Sequence, residues 1–147
     1  MSPQISLDRI KKATAFKPGA IQVILSDWFP LNDDEIIDCI KRMAEAAGEI
    51  GLVLYNPPHA KRVLNPPLYG KIKKAVPSLI GVKVAGGNEA WYEEMKKHMK
   101  GISVFVAGHT LATGYSCGAS GSYSNIACLD PAGSQQWYEL MKKDINK

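Results

Sequence analysis

Leu79-Ile80-Gly81-Val82-Lys83-Val84 is an apolar run of strand length interrupted by one amine-bearing side chain. A second run, Gly51-Leu52-Val53-Leu54-Tyr55, precedes it and is broken sharply by Asn56-Pro57-Pro58. Both runs are continuous rather than alternating, as expected of strands covered on both faces and hence of a parallel sheet wrapped by helices. Outward from this pair the same unit recurs. Ala20-Ile21-Gln22-Val23-Ile24-Leu25 is a β-branched run ended by Asp27 and Pro30, and Ile102-Ser103-Val104-Phe105-Val106 is another. A last strand is expected near 122–128.

Amphipathic stretches separate the runs. Asn32-Asp33-Asp34-Glu35 opens a helix, because acidic side chains favour the positive end of the helix dipole. Its stripe is Ile36, Ile37, Ile40 and Met43, with Gly48 as the stop. Further helices are expected over 67–76, from an Asn88 cap through Met99, over 110–117 and over 134–143. A leading helix over 6–16 takes Ser6 as its N-cap. The order is βα repeated about five times behind a leading helix, with no linker or low-complexity segment.

Two architectures fit, an open doubly wound sheet or part of a barrel. A doubly wound nucleotide fold calls for a glycine-rich turn after its first strand. Here that turn is Ser26-Asp27-Trp28-Phe29-Pro30, bulky and without glycine. Val84-Ala85-Gly86-Gly87-Asn88 bears glycine but lacks the G-x-G-x-x-G spacing.

The chain has 147 residues, one domain's worth, with 46% hydrophobic and 22% charged residues and a mean hydropathy of −0.13. The net charge of +4 is mild, and its lysines are spread over helix-like stretches, which argues against a nucleic-acid partner. No apolar run reaches the roughly 18–20 residues that span a bilayer, and Met1-Ser2-Pro3-Gln4 does not open a signal peptide. Cys39, Cys117 and Cys128 make an odd count without C-x-x-C spacing. That argues against a zinc site or disulfide framework and for a cytoplasmic location. The three histidines are isolated in sequence, so no metal cluster stands out.

Lys83 is the residue that strand logic does not explain. An amine buried among aliphatic side chains tends to lose its proton, and a neutral amine can attack a ketone to form a Schiff base. The competing reading is a strand-end lysine reaching solvent along its stem. Tyr55 ends the previous strand, and side chains at the C-terminal ends of barrel strands converge on one mouth. Its hydroxyl beside a reactive lysine would shuttle protons; alone, it would read as a core tyrosine. His109, in Phe105-Val106-Ala107-Gly108-His109-Thr110, follows another strand end and reads either as a substrate contact or as a capping or solvated residue.

These residues match a family pattern. Tyr55-Asn56-Pro57-Pro58 resembles the Y-N-x-P motif of the dihydrodipicolinate synthase / N-acetylneuraminate lyase family, whose tyrosine shuttles protons. Twenty-eight positions on, Gly81-Val82-Lys83-Val84-Ala85-Gly86-Gly87 is similar to the strand whose lysine forms the imine with a 2-keto acid. Gly108-His109-Thr110 falls where the family has a G-D-D or G-D-E turn. Gly118-Ala119-Ser120-Gly121-Ser122-Tyr123-Ser124-Asn125 is similar to its glycine-bounded eighth strand.

The resemblance implies an α/β fold, a (β/α)8 TIM barrel of which residues 1–147 cover βα units 4 to 8, with 20–29 as the fourth strand. It leaves out the first three strands and the Thr-Thr or Ser-Thr turn that holds the keto-acid carboxylate. A whole barrel needs ~250 residues, so this is either a fragment or one half of a barrel completed by another chain. Two departures argue against the lysine-biosynthesis substrate. The tyrosine that extends the family's proton relay would lie near Trp28-Phe29, and the arginine two residues after the Y-N-x-P proline falls on Ala60, with Lys61 and Arg62 next to it.

The implied activity is a Schiff-base lyase or aldolase on pyruvate or another 2-keto acid, with Lys83 and Tyr55 catalytic. Gly108, His109, Tyr123 and Ser124 would line the pocket, and neither metal nor organic cofactor is called for. The expected partners are a second copy of the chain or the missing N-terminal half-barrel segment, since an incomplete barrel exposes apolar strand edges. The alternative is a catalytically silent half-barrel serving as a ligand-binding or assembly module.

Overall fold

The computed structural model describes residues 2–25 and 29–145. Helix α1 (Pro3–Thr14) leads, followed by β1 (Ala20–Ile24), α2 (Asp33–Ala47), β2 (Gly51–Tyr55), α3 (Pro66–Ala75), β3 (Leu79–Lys83) and α4 (Glu89–His98). Then come β4 (Ser103–Ala107), a 3₁₀ turn (Gly108–Thr110), α5 (Leu111–Ser116), β5 (Gly121–Tyr123), a second 3₁₀ turn (Ile126–Cys128) and α6 (Pro131–Ile145).

The helix ends follow local chemistry. Asn32 and Glu35 form a reciprocal capping box, in which the Glu35 amide donates to Asn32 Oδ1 (3.0 Å) and the Asn32 amide to Glu35 Oε2 (2.8 Å). Asn65 and Asn88 cap α3 and α4 by the side-chain half of this arrangement alone, accepting from the Leu68 (3.1 Å) and Trp91 (3.0 Å) amides. Gly48 closes α2 at φ +63°, a conformation open to glycine at little cost. Two boundaries differ from expectation. The first helix starts at Pro3 behind Ser2, not at Ser6, because proline at the first helical position already holds a helical φ. The last strand is Gly121–Tyr123, not 122–128, since the chain turns into a 3₁₀ segment at Ile126.

All strand pairs are parallel and the order is strictly β1-β2-β3-β4-β5. This sequential order decides between the two architectures. Right-handed crossovers that always step in one direction lay every helix on the same face of the sheet, whereas a doubly wound sheet reverses and is covered on both. The helix-covered face carries Val23, Leu52, Leu54, Leu79, Val82, Val104 and Val106, all buried in one core with Ile36, Ile40, Met43, Leu68, Tyr69 and Ile72.

The other face is open. Register puts Ile24, Tyr55, Lys83, Phe105 and Gly121 in one row across the sheet, with Tyr123 paired to Ala107 one step further along. On this face Ile24, Ile80 and Tyr123 are 44%, 41% and 43% exposed, although parallel strands normally bury both faces. A register shift between Leu52 and Val53 turns Ile80 onto Gly51. There its Cδ1 lies 2.4 Å from where a Cβ would stand, so a side chain at position 51 would push the Ile80 side chain aside.

Candidate active site

Strand register assembles the site. Tyr55 and Lys83 end adjacent strands as direct partners, and the Asn56 amide donates to the Lys83 carbonyl (3.0 Å), tying the two strand ends together. Lys83 Nζ lies over the Tyr55 ring, 4.1 Å from its centroid, and 4.8 Å from that of Tyr123. Lys83 and Tyr55 are both partly buried. The aliphatic setting expected for Lys83 is corrected. Side chains alternate along a strand, so its neighbours Val82 and Val84 point away into the helix-covered core, and the amine meets aromatic rings instead.

Gly108 and Ser124 also come together. A Cβ on Gly108 would stand 2.5 Å from Ser124 Oγ and 2.8 Å from Ser124 Cα, so glycine is what lets the segment after β5 lie against the end of β4. His109 is exposed on the 3₁₀ turn and lies outside the contacts around Lys83. Trp28 lies outside the described residues, and Phe29 is exposed beyond the end of β1. Arg62 is turned to the start of α2, donating to the Leu31 carbonyl (2.7 Å) and pairing with Asp33, which Lys71 also contacts at 3.2 Å. The Arg62 hydrogen bond, then that of Lys71, holds the Asp33 carboxyl below its usual range.

Two residues of the site went unassigned in the sequence. Asn56, 3% exposed, anchors the loop that leaves Tyr55. Its amide donates to the Arg62 carbonyl (3.1 Å), and its Oδ1 accepts from the Leu64 amide (2.8 Å) and the Tyr69 hydroxyl (3.4 Å). Burial pushes the Tyr69 phenol far above its ordinary range, so it stays protonated and able to donate. Asn56→Ala removes both side-chain functions and leaves buried backbone groups unpaired, at about 1–3 kcal/mol. A urea titration should show the midpoint lowered with the slope unchanged; an unmoved midpoint would show that water replaces the asparagine. The second residue is Phe105, whose ring spans Gly81 and Gly121 and meets Tyr123 edge-on, with centroids 5.5 Å apart and an interplanar angle of 85°. Gly121 is its register partner on β5, and Gly81 lies two residues before its partner Lys83 on β3.

Among the described residues no group of three or more His, Cys, Asp or Glu is placed to hold a metal ion, and no helix is long and apolar enough to cross a membrane.

No protein-family model and no curated protein matches the sequence. Solved structures do match. A sialic acid aldolase from Ruminococcus gnavus superposes with a TM-score of 0.86 at 21% identity, over 97% of this chain and 48% of its own. A prophage protein of the dihydrodipicolinic acid synthase family from E. coli, solved with pyruvate, gives 0.87 at 17%, over 98% and 50%. Dihydrodipicolinate synthase from Bacteroides thetaiotaomicron gives 0.76 at 20%, over 98% and 52%. The chain spans about half the length of these proteins. Its five parallel βα units therefore have the fold of part of a TIM barrel as built by the dihydrodipicolinate synthase / N-acetylneuraminate lyase family.

Proposed function

We propose that this chain, residues 1–147 as βα units 4 to 8, is the lysine-bearing part of a Schiff-base lyase or aldolase acting on pyruvate or another 2-keto acid. The observation that carries the reading is the Tyr55–Lys83 pair on adjacent strand ends, with the amine 4.1 Å from the phenol ring. The unprotonated Lys83 amine adds to the ketone carbon to give a carbinolamine. The carbonyl oxygen then leaves as water as a C=N bond replaces it, with Tyr55 relaying the protons. The protonated imine draws electrons from the neighbouring carbon, so a carbon–carbon bond there is made or broken without a metal or organic cofactor. Gly108, His109, Tyr123 and Ser124 would line the pocket, in a protein of the cytoplasm.

The test is incubation with pyruvate and borohydride followed by peptide mapping. The reduced adduct is expected on the peptide bearing Lys83. Label scattered over exposed lysines such as Lys41 and Lys74, or no label at all, would refute the proposal.

The open sheet face favours a second reading, a silent half-barrel that binds a ligand or assembles with other subunits. Ile24, Ile80 and Tyr123 are exposed on that face, and β1 and β5 are edge strands, an arrangement prone to association. We expect the isolated chain to pair with a second copy, or with a segment supplying the remaining strands and their carboxylate-holding turn. Sedimentation velocity should then show mass rising with concentration in the micromolar range. A compact monomer throughout would count against association. A 2-keto acid that raises Tm without being reduced onto lysine would favour the binding module over the enzyme.

A further inference from the structure

The imine reading uses the Lys83 nitrogen and the Tyr55 hydroxyl but gives no task to the rings around them. Lys83 Nζ is in reach of two ring faces, Tyr55 at 4.1 Å and Tyr123 at 4.8 Å. The second ring comes from β5, two strands beyond Lys83, so it meets the amine only because the sheet brings them together. Its angle is set from below. The Phe105 ring lies over two glycines: a Cβ on Gly81 would stand 3.4 Å from its Cε2 and one on Gly121 3.5 Å from its Cδ1, both at van der Waals contact. Phe105 in turn meets the Tyr123 ring edge-on at 85°, the arrangement that the opposed charges of ring edge and ring face favour.

We propose that Tyr55 and Tyr123 form a two-ring clasp that positions the Lys83 nitrogen beside the Tyr55 hydroxyl, and that Phe105 is the positioning residue that sets the Tyr123 ring. A ring face attracts a positively charged nitrogen, whether ammonium or iminium. A lysine side chain has four rotatable bonds and much rotamer entropy to lose on being held. The clasp keeps the nitrogen over the row of strand ends rather than swinging into the open face. Its role in the reaction rests on the imine reading; its geometry does not.

The test separates the two. Reductive methylation of the whole chain with ¹³C-formaldehyde and a borane gives each lysine a dimethylamine signal, and a Lys83→Arg variant identifies that of Lys83. Ring currents should carry this signal upfield of those of exposed lysines such as Lys41. The shift should largely vanish in Tyr123→Leu, shrink in Phe105→Leu and return in Tyr123→Phe. Pyruvate trapping on Lys83 should be about five-fold slower in Tyr123→Leu, because the released side chain regains roughly 1 kcal/mol of rotamer freedom and meets Tyr55 less often, and should recover in Tyr123→Phe. An unshifted Lys83 signal in the parent chain, which needs no variant to fold, overturns the clasp, as does a shift unchanged in folded Tyr123→Leu. If the signal behaves as expected but the parent never traps pyruvate, the imine reading fails and the clasp stands as a feature of the fold.

Discussion

Lys83→Ala is expected to take up no label from pyruvate and borohydride, while the parent chain is labelled at that one position. The chain carries many other amines, but an exposed lysine is mostly protonated at neutral pH and is a poor nucleophile. Among the described residues no other lysine stands in a paired strand with a tyrosine as its register partner, as Lys83 does with Tyr55. Stability should change little, because Lys83 sits at the end of β3 on the open face rather than in the core between sheet and helices. The expected loss is about 1 kcal/mol or less, the scale of its ring contacts. A variant that melts like the parent and loses all label assigns the chemistry to this amine. One that takes up as much label as the parent ends the proposal.

Tyr55→Phe should slow trapping by about 10²–10³-fold, within the range of general acid–base catalysis by one positioned group. Phenylalanine keeps the ring, and with it the contact 4.1 Å from Lys83 Nζ, so the variant removes the hydroxyl alone. Reaction of the amine with the carbonyl needs protons moved twice, off nitrogen on addition and onto oxygen as water departs. Single-turnover trapping under saturating pyruvate isolates those steps. A rate equal to the parent's would mean that solvent, reaching the site through the open face, carries the protons instead.

How far the sequence reached differs from element to element. Gly51–Tyr55 was legible to the residue, because Asn56-Pro57-Pro58 ends it sharply. Asn88 was legible as a cap because a short side-chain acceptor directly before an amphipathic run has little else to bind, whereas the start of α2 was read from its acidic side chains and the capping by Asn32 came only with the structure. The start of α1 was misplaced, since two serines compete and the proline after Ser2 settles the matter. The end of β5 was misplaced because Tyr123-Ser124-Asn125-Ile126 reads equally well as strand or turn, and only packing against β4 and Gly108 selects the turn. Asn56 looked like punctuation. Its role became visible only when Arg62, Leu64 and Tyr69, which are 6, 8 and 13 residues away, were seen to converge on it.

By itself the sequence determined the βα alternation, the Asn88 cap and Gly48 stop, and the pairing in kind of a tyrosine and a lysine at strand ends. These are set by near neighbours, through hydrophobic period, capping chemistry and chain-breaking residues. Tertiary structure alone decided that the strands run in unbroken order with one face left open, and that the lysine meets rings rather than aliphatic side chains. The reason is that a strand's two faces are interleaved along the chain. Val82 and Val84 are adjacent to Lys83 in sequence yet lie across the sheet from its amine, whereas Tyr55 and Tyr123, 28 and 40 residues away, share its face.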